Sequence, residues 1–216
     1  CVNSLIFAQS SLPYKNPNLP IEVRVNDLLS RMTLEEKVGQ LLCPLGWEMY
    51  EIQGNNVSPS DKFKQLIKER NVGMLWATYR ADPWTKKTLE NGLNPTLAAK
   101  AGNALQKYII ENTRLGIPLF LAEEAPHGHM AIGTTVFPTG IGMASTWSSD
   151  LLQRVGEAIG KEVRTQRGHI SYGPVLDLSR DPRWSRVEET FGEDPVLSGD
   201  LGAAMVTGLG GGDLSK

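Results

Sequence analysis

The sequence predicts an α/β protein, with helices packed on a sheet of short parallel strands. Two observations carry that expectation. Amphipathic helical segments alternate with short apolar runs, "VGMLWA" at 72–77, "IPLFLA" at 117–122 and "HISYGPVLDL" at 169–178. Runs of that length are what strands buried on both faces require. The order long helix, short strand, polar cluster also recurs three times. That order builds βαβ units, in either an α/β barrel or a doubly wound sheet.

The elements follow in chain order. Residues 1–21 form a lead: "CVNSLIFAQSS" resembles the tail of a secretory signal peptide, and "SLPYKNPNLP" is rich in proline and asparagine. The expectation is export to the periplasm or beyond the cell. The α/β domain then spans 22–216. Val25, Leu28, Leu29 and Met32 recur at helical spacing, and Thr33-Leu34-Glu35-Glu36 is a capping box. The box opens a helix with Leu34, Val38, Leu41 and Leu42 on one face. Three polar-Pro pairs, Ser58-Pro59, Asn94-Pro95 and Asp194-Pro195, each read as a cap followed by proline at the first helical position. A further helix runs from about Ser149 to Gln166, where Gly156 and Gly160 offer a flat packing face. The stretch 81–94 reads as a long polar loop, and "GLGGGDLSK" does not close a domain.

Composition excludes several classes of function. A net charge of −2 lacks the basic stripe that nucleic acid demands. No apolar run approaches the ~20 residues of a membrane span. Cys1 and Cys43 make neither a disulfide framework nor a metal pattern. His127 and His129 form an H-x-H with no third ligand suggested, so neither metal nor cofactor is called for.

Barrels and open sheets alike place their chemistry beyond the carboxyl ends of the strands. Two polar clusters lie there: "EEAPHGH" after "IPLFLA", and "SRDPRWSR" after the third run. Glu123 and Glu124 are neighbours on a strand and must point to opposite sides. One is expected to aim into the barrel mouth and the other to be tied down in the wall. They make a poor acid/base pair, which needs carboxyls roughly 5 to 9.5 Å apart across a substrate. Arg180, Arg183 and Arg186, with Trp184, supply forked donors and an apolar ring face. Pairing with Asp177, Asp181, Glu188, Glu189 or Asp194 would turn this run into a salt-bridged bracket.

The blocks "RVNDLLSRMTLEEKVGQL", "GIPLFLAEEAPHGH", "TVFPTGIGMASTWSSDLLQRVGEAIGKEVR" and "GPVLDLSRDPRWSRVEETFGEDPVL" together resemble the amino-terminal catalytic domain of glycoside hydrolase family three, on its β-glucosidase/β-xylosidase branch. The likeness spans roughly 22 to 210. It implies the leading βα units of a TIM-type barrel, incomplete in this chain. It implies a carbohydrate substrate, with Glu124 binding hydroxyls of the non-reducing sugar and Arg186 binding the same sugar. Asp177, Arg180, Trp184 and His127 would support that site. Two departures stand out: many members carry Asp at the position of Glu124, and Ser185 replaces a glycine beside Arg186.

The family hydrolyses with retention through a covalent aspartyl intermediate. The S-D-W-like segment of its nucleophile and its Lys-His pair are absent here, and "SSD" at 148–150 lies at a helix start. The resemblance therefore implies no catalytic residue in this chain, no turnover by it alone, and self-association through uncovered barrel edges. The competing expectation is a non-catalytic carbohydrate-binding α/β module.

Overall fold

The computed structural model describes residues 12–212. The signal-like residues 1–11 and the final four residues lie outside the described part.

Helix α1 (Ile21–Arg31) and helix α2 (Leu34–Gly39) open the domain. The capping box forms in full: the Thr33 hydroxyl accepts from Glu36 N, and the Glu36 carboxylate accepts from Thr33 N. A pin ties these helices to the rest of the chain. Arg114 donates to the Glu36 carboxylate (Nε to Oε1, 3.0 Å) and to the Arg31 carbonyl (2.8 Å). The lead is anchored by the buried Tyr14, whose hydroxyl donates to the Leu115 carbonyl at 2.6 Å.

Two expectations need correction here. Helix α2 stops at Gly39, so Leu41 and Leu42 lie outside it, and the apolar stripes of both helices are uncovered. Ile21 is 72% exposed, Leu34 71% and Leu41 83%, with no covering element among the described residues. The second correction concerns Ser58-Pro59. Those residues end strand β2 (Asn56–Pro59), which pairs antiparallel with β1 (Tyr50–Gln53). Helix α3 (Asp61–Arg70) begins one step later, and its cap is Ser60, whose hydroxyl accepts from Phe63 N. Hairpin pairing claims the proline, because a strand-end proline forfeits only a ladder hydrogen bond it does not need.

Three strands form the central parallel sheet: β3 (Met74–Trp76), β4 (Phe120–Glu124) and β5 (Ile170–Tyr172). Their order is sequential, with Trp76 beside Ala122 and Ala122 beside Ile170. Pro44 to Gly46 adds a further parallel segment against Trp76. Sequential order is what the wall of a β/α barrel requires, and a doubly wound sheet shows it only on one side of its switch point. Among the described residues the wall does not close.

Helix α4 (Pro95–Asn112) connects β3 to β4, capped by Asn94, which accepts from Leu97 N. With α3 and the hairpin it buries Phe63, Leu75, Leu105 and Leu121 completely. Each such side chain contributes about 1.5–3 kcal/mol. Helices α5 (Gly140–Ala144) and α6 (Ser149–Thr165) lead to β5, and α7 (Pro195–Leu209) packs along α6. The Gly156 face does what its spacing predicts: a Cβ there would sit 2.6 Å from the Met205 carbonyl oxygen. Its counterpart Gly208 is tighter, at 2.1 Å from the Gln153 carbonyl oxygen.

Candidate functional site

The site grows from the carboxyl ends of β3 and β4. At Ala77, just past β3, the backbone turns through a left-handed conformation (φ 59°). An L-residue tolerates this at a cost of roughly 1–2 kcal/mol. The turn presents two successive amides to Glu123: Thr78 N donates to Oε1 at 3.0 Å and Tyr79 N to Oε2 at 3.2 Å. Glu123 is fully buried, and His129 Nε2 lies 3.5 Å from its Oε2, a contact too long to be a good hydrogen bond. Burial pushes the Glu123 carboxyl above the usual glutamate range, against the pull of His129 and the two amides.

Glu124, on the opposite face of the strand, accepts from the Trp76 indole N–H at 3.0 Å. Partial burial raises its pKa, while the Trp76 hydrogen bond and the charges of Arg80 and Arg186 pull it back. Of two adjacent carboxylates, one is thus sealed in the wall and one faces a cleft. The cleft has a volume of about 380 Å³ and is lined by Trp76, Arg80, Glu124, His127, Arg186 and Glu189, among others.

The far wall comes from the loop after β5. Arg186 makes a two-pronged pair with Glu189, Nε to Oε1 at 2.9 Å and Nη2 to Oε2 at 2.6 Å. Glu189, and then the more distant charges of Glu124 and Asp177, favour its protonated state. His127 Nδ1 lies 3.2 Å from the Phe137 carbonyl oxygen, which orients the ring at the cleft.

The sequence-predicted residues therefore divide. Glu124, Arg186 and His127 share one cleft, and Asp177 stands within electrostatic reach of Arg186. Arg180 and Trp184 are not among its lining residues. The expected bracket reduces to two local ion pairs, Arg186–Glu189 and the exposed Arg183–Asp181, with none for Arg180 or Asp177 among the described residues. Pairs this exposed add little rigidity. The loop is held instead by the buried Thr190, whose hydroxyl donates to the Val187 carbonyl at 2.8 Å and lies 2.5 Å from the Ser179 hydroxyl.

Sequence reasoning missed a second group. Trp47, Trp76 and Trp84 pack with ring centroids 4.9 to 6.4 Å apart, and Tyr172 meets Trp76 at 6.1 Å. The Arg80 guanidinium carbon lies 4.8 Å from the centre of the Trp84 ring, and its Nε donates to Asp82 at 2.6 Å. The signal was present: "TYRADPW" follows "VGMLWA" as directly as "EEAPHGH" follows "IPLFLA". Reading 81–94 only as a polar loop left it unused.

Comparison with known proteins gives one consistent answer. Residues 33–215 match the model of the glycosyl hydrolase family 3 N terminal domain. A Formosa agariphila protein provisionally named a β-xylosidase is 37% identical over 93% of this chain and 25% of its own length. A periplasmic β-glucosidase of Salmonella typhimurium is 32% identical over 87% of this chain and 20% of its own. A solved β-glucosidase of Erythrobacter marinus superposes with a TM-score of 0.75 at 32% identity, covering 94% of this chain and 25% of that one. The chain thus spans about a quarter of the length of these relatives.

Proposed function

This chain belongs to glycosyl hydrolase family 3, and from that premise we propose that its cleft is part of the subsite for the terminal sugar of a retaining, exo-acting β-glycosidase of β-glucosidase or β-xylosidase type. The observation that carries this reading is the meeting of Glu124 and Arg186 in one cleft, beside the indole of Trp76. An ionised carboxylate accepts from two hydroxyls at once, a guanidinium donates to others, and an aromatic face covers the apolar side of a pyranose ring. A solved β-glucosidase of Listeria innocua, 28% identical to this chain, is described in complex with glucose, which supports a hexose in such a cleft.

Neither carboxylate on β4 suits the chemical step. A retaining pair must flank one glycosidic bond with carboxyls about 5–5.5 Å apart. Glu123 is sealed on the wrong face and committed to two backbone amides. We place the nucleophile and the acid/base outside these 216 residues, so the chain alone is expected to show no turnover. The uncovered stripes of α1 and α2 favour association of the isolated chain. The relatives named periplasmic favour export.

The test is hydrolysis of an aryl β-glucoside and an aryl β-xyloside by the full-length protein. Glu124→Ala and Arg186→Ala should each lower kcat/KM by about 10- to 100-fold, since each removes charged hydrogen bonds. Unchanged kcat/KM in both variants would remove this cleft from the sugar site. Turnover by the purified 216-residue chain would overturn the placement of the nucleophile.

A further inference from the structure

Arg80 is built into the cleft with unusual care. Its side chain is only 15% exposed, and Asp82, 14% exposed, holds it by Nε and Nη2. Asp82 is itself held, accepting from Thr85 N at 2.9 Å. The guanidinium carbon lies 4.8 Å from the centre of the Trp84 ring and 6.0 Å from that of Trp76. Packing of this kind against aromatic rings restrains the guanidinium while its remaining donors stay available. Nη1 has no protein acceptor among the described residues, and Arg80 lines the same cleft as Glu124 and Arg186.

The backbone that carries Arg80 is fixed as firmly. Ala81 N donates to the Met130 carbonyl at 3.0 Å, and Arg80 bridges to Ala131, so the loop after β3 is zipped to the loop after β4. The buried Glu123 clamps the same loop one and two residues upstream, at Tyr79 and Thr78. A guanidinium restrained by an ion pair, an aromatic face and two loop anchors is preorganised, which is how a binding group avoids the entropic cost of ordering.

We propose that Arg80 is a second sugar-contacting guanidinium of the cleft, donating from Nη1 to hydroxyls of a neutral sugar opposite Arg186. The proposal rests on the reading of the cleft as a sugar subsite. The neutral class follows from charge. The lining carries three carboxylates, Glu124, Glu188 and Glu189, against two guanidiniums, each of which already has a carboxylate partner. Among the described residues the carboxylates of the lining outnumber its guanidiniums, which disfavours a sugar carboxylate.

The experiment is competitive inhibition of the full-length protein by glucose, xylose and glucuronate, with Arg80→Met, Arg80→Lys and Glu124→Gln beside the wild type. Arg80→Met keeps the stem against Trp84 and removes the fork. It should weaken glucose and xylose inhibition by about 10-fold or more, and lower the thermal midpoint because Asp82 loses its partner. If Arg80→Met fails to fold, Arg80→Lys carries the test: it retains the charge that pairs with Asp82, and still loses about 10-fold in affinity because it lacks the fork. Loss in Glu124→Gln with wild-type inhibition in the Arg80 variants would overturn the role of Arg80 and leave the sugar site standing. Wild-type inhibition in all three variants would overturn both. Glucuronate binding wild type as well as glucose does would overturn the assignment to neutral sugars.

Discussion

The two walls of the cleft are built on different principles. The wall from the β3 and β4 loops is tied through buried backbone: Glu123 takes two amides, the loops share a hydrogen bond at Ala81 and Met130, and Trp76 packs against the buried Trp47 and the half-exposed Trp84. The wall from the β5 loop is rich in charge and poor in long-range bonds. Its ion pairs join residues two or three apart in sequence and lie toward solvent, while its hold on the fold is Thr190 and the buried Phe191. Density of charge in a sequence is therefore a poor guide to rigidity. A single carboxylate with two buried amide donors outweighs several exposed pairs, because water competes with the latter and not with the former.

The largest test of this contrast is Glu123→Ala. It strips two buried amides of their acceptor and leaves a cavity, for a loss on the order of 3 kcal/mol or more. Glucose affinity should fall with it, since the Arg80 loop loses its clamp. Denaturant unfolding together with glucose inhibition checks both, and a near-wild-type midpoint would show that the β3–β4 wall is not held as described.

On the other wall, Thr190→Val should cost about 1–2 kcal/mol through its hydroxyl bonds to Val187 and Ser179. Chemical denaturation measures it. A smaller loss than that of any ion-pair variant in the same loop would return the anchoring role to the charges.

A third prediction concerns pH. The Glu124 carboxyl is raised above its ordinary 4.5 in the folded state, chiefly by burial. The folded protein then holds a proton that the unfolded chain releases, so this group subtracts stability as pH rises from about 4.5 through the raised pKa. Glu124→Gln removes that slope. The stability difference between variant and wild type should favour the variant more at pH 8 than at pH 4, and a difference independent of pH would contradict the assigned burial. The smallest effect belongs to Arg183→Ala. Its partner Asp181 is two residues away and the pair is exposed, so thermal melting should not detect the change.

Much of this was legible in advance, for identifiable reasons. The Thr33 capping box and the Asn94-Pro95 helix start formed as their local chemistry dictates. Ser58-Pro59 carries the same local signal and ends a strand, because the "GN" turn at 54–55 closes a hairpin first. That turn was itself readable, and the competition between two local signals was not. Likewise the opposition of Glu123 and Glu124 follows from strand geometry, whereas which of them faces the cleft depends on where the loop after β3 brings its amides.

By itself, then, the sequence determined the alternation of helices and buried strands, the strand-exit position of Glu124, and Arg186 as a residue to watch. The first two depend on periodicity and turn chemistry within a few tens of residues, and Arg186 stands out only through the resemblance to the family. Only the tertiary structure decided that the strands lie side by side in chain order as a barrel wall, that Trp76 reaches Glu124 across 48 residues of sequence, and that Arg80 and Trp84 join them. The physical reason is that parallel register sets which loops share an end of the sheet, and register is fixed by the whole buried face of each strand, not by any one residue on it.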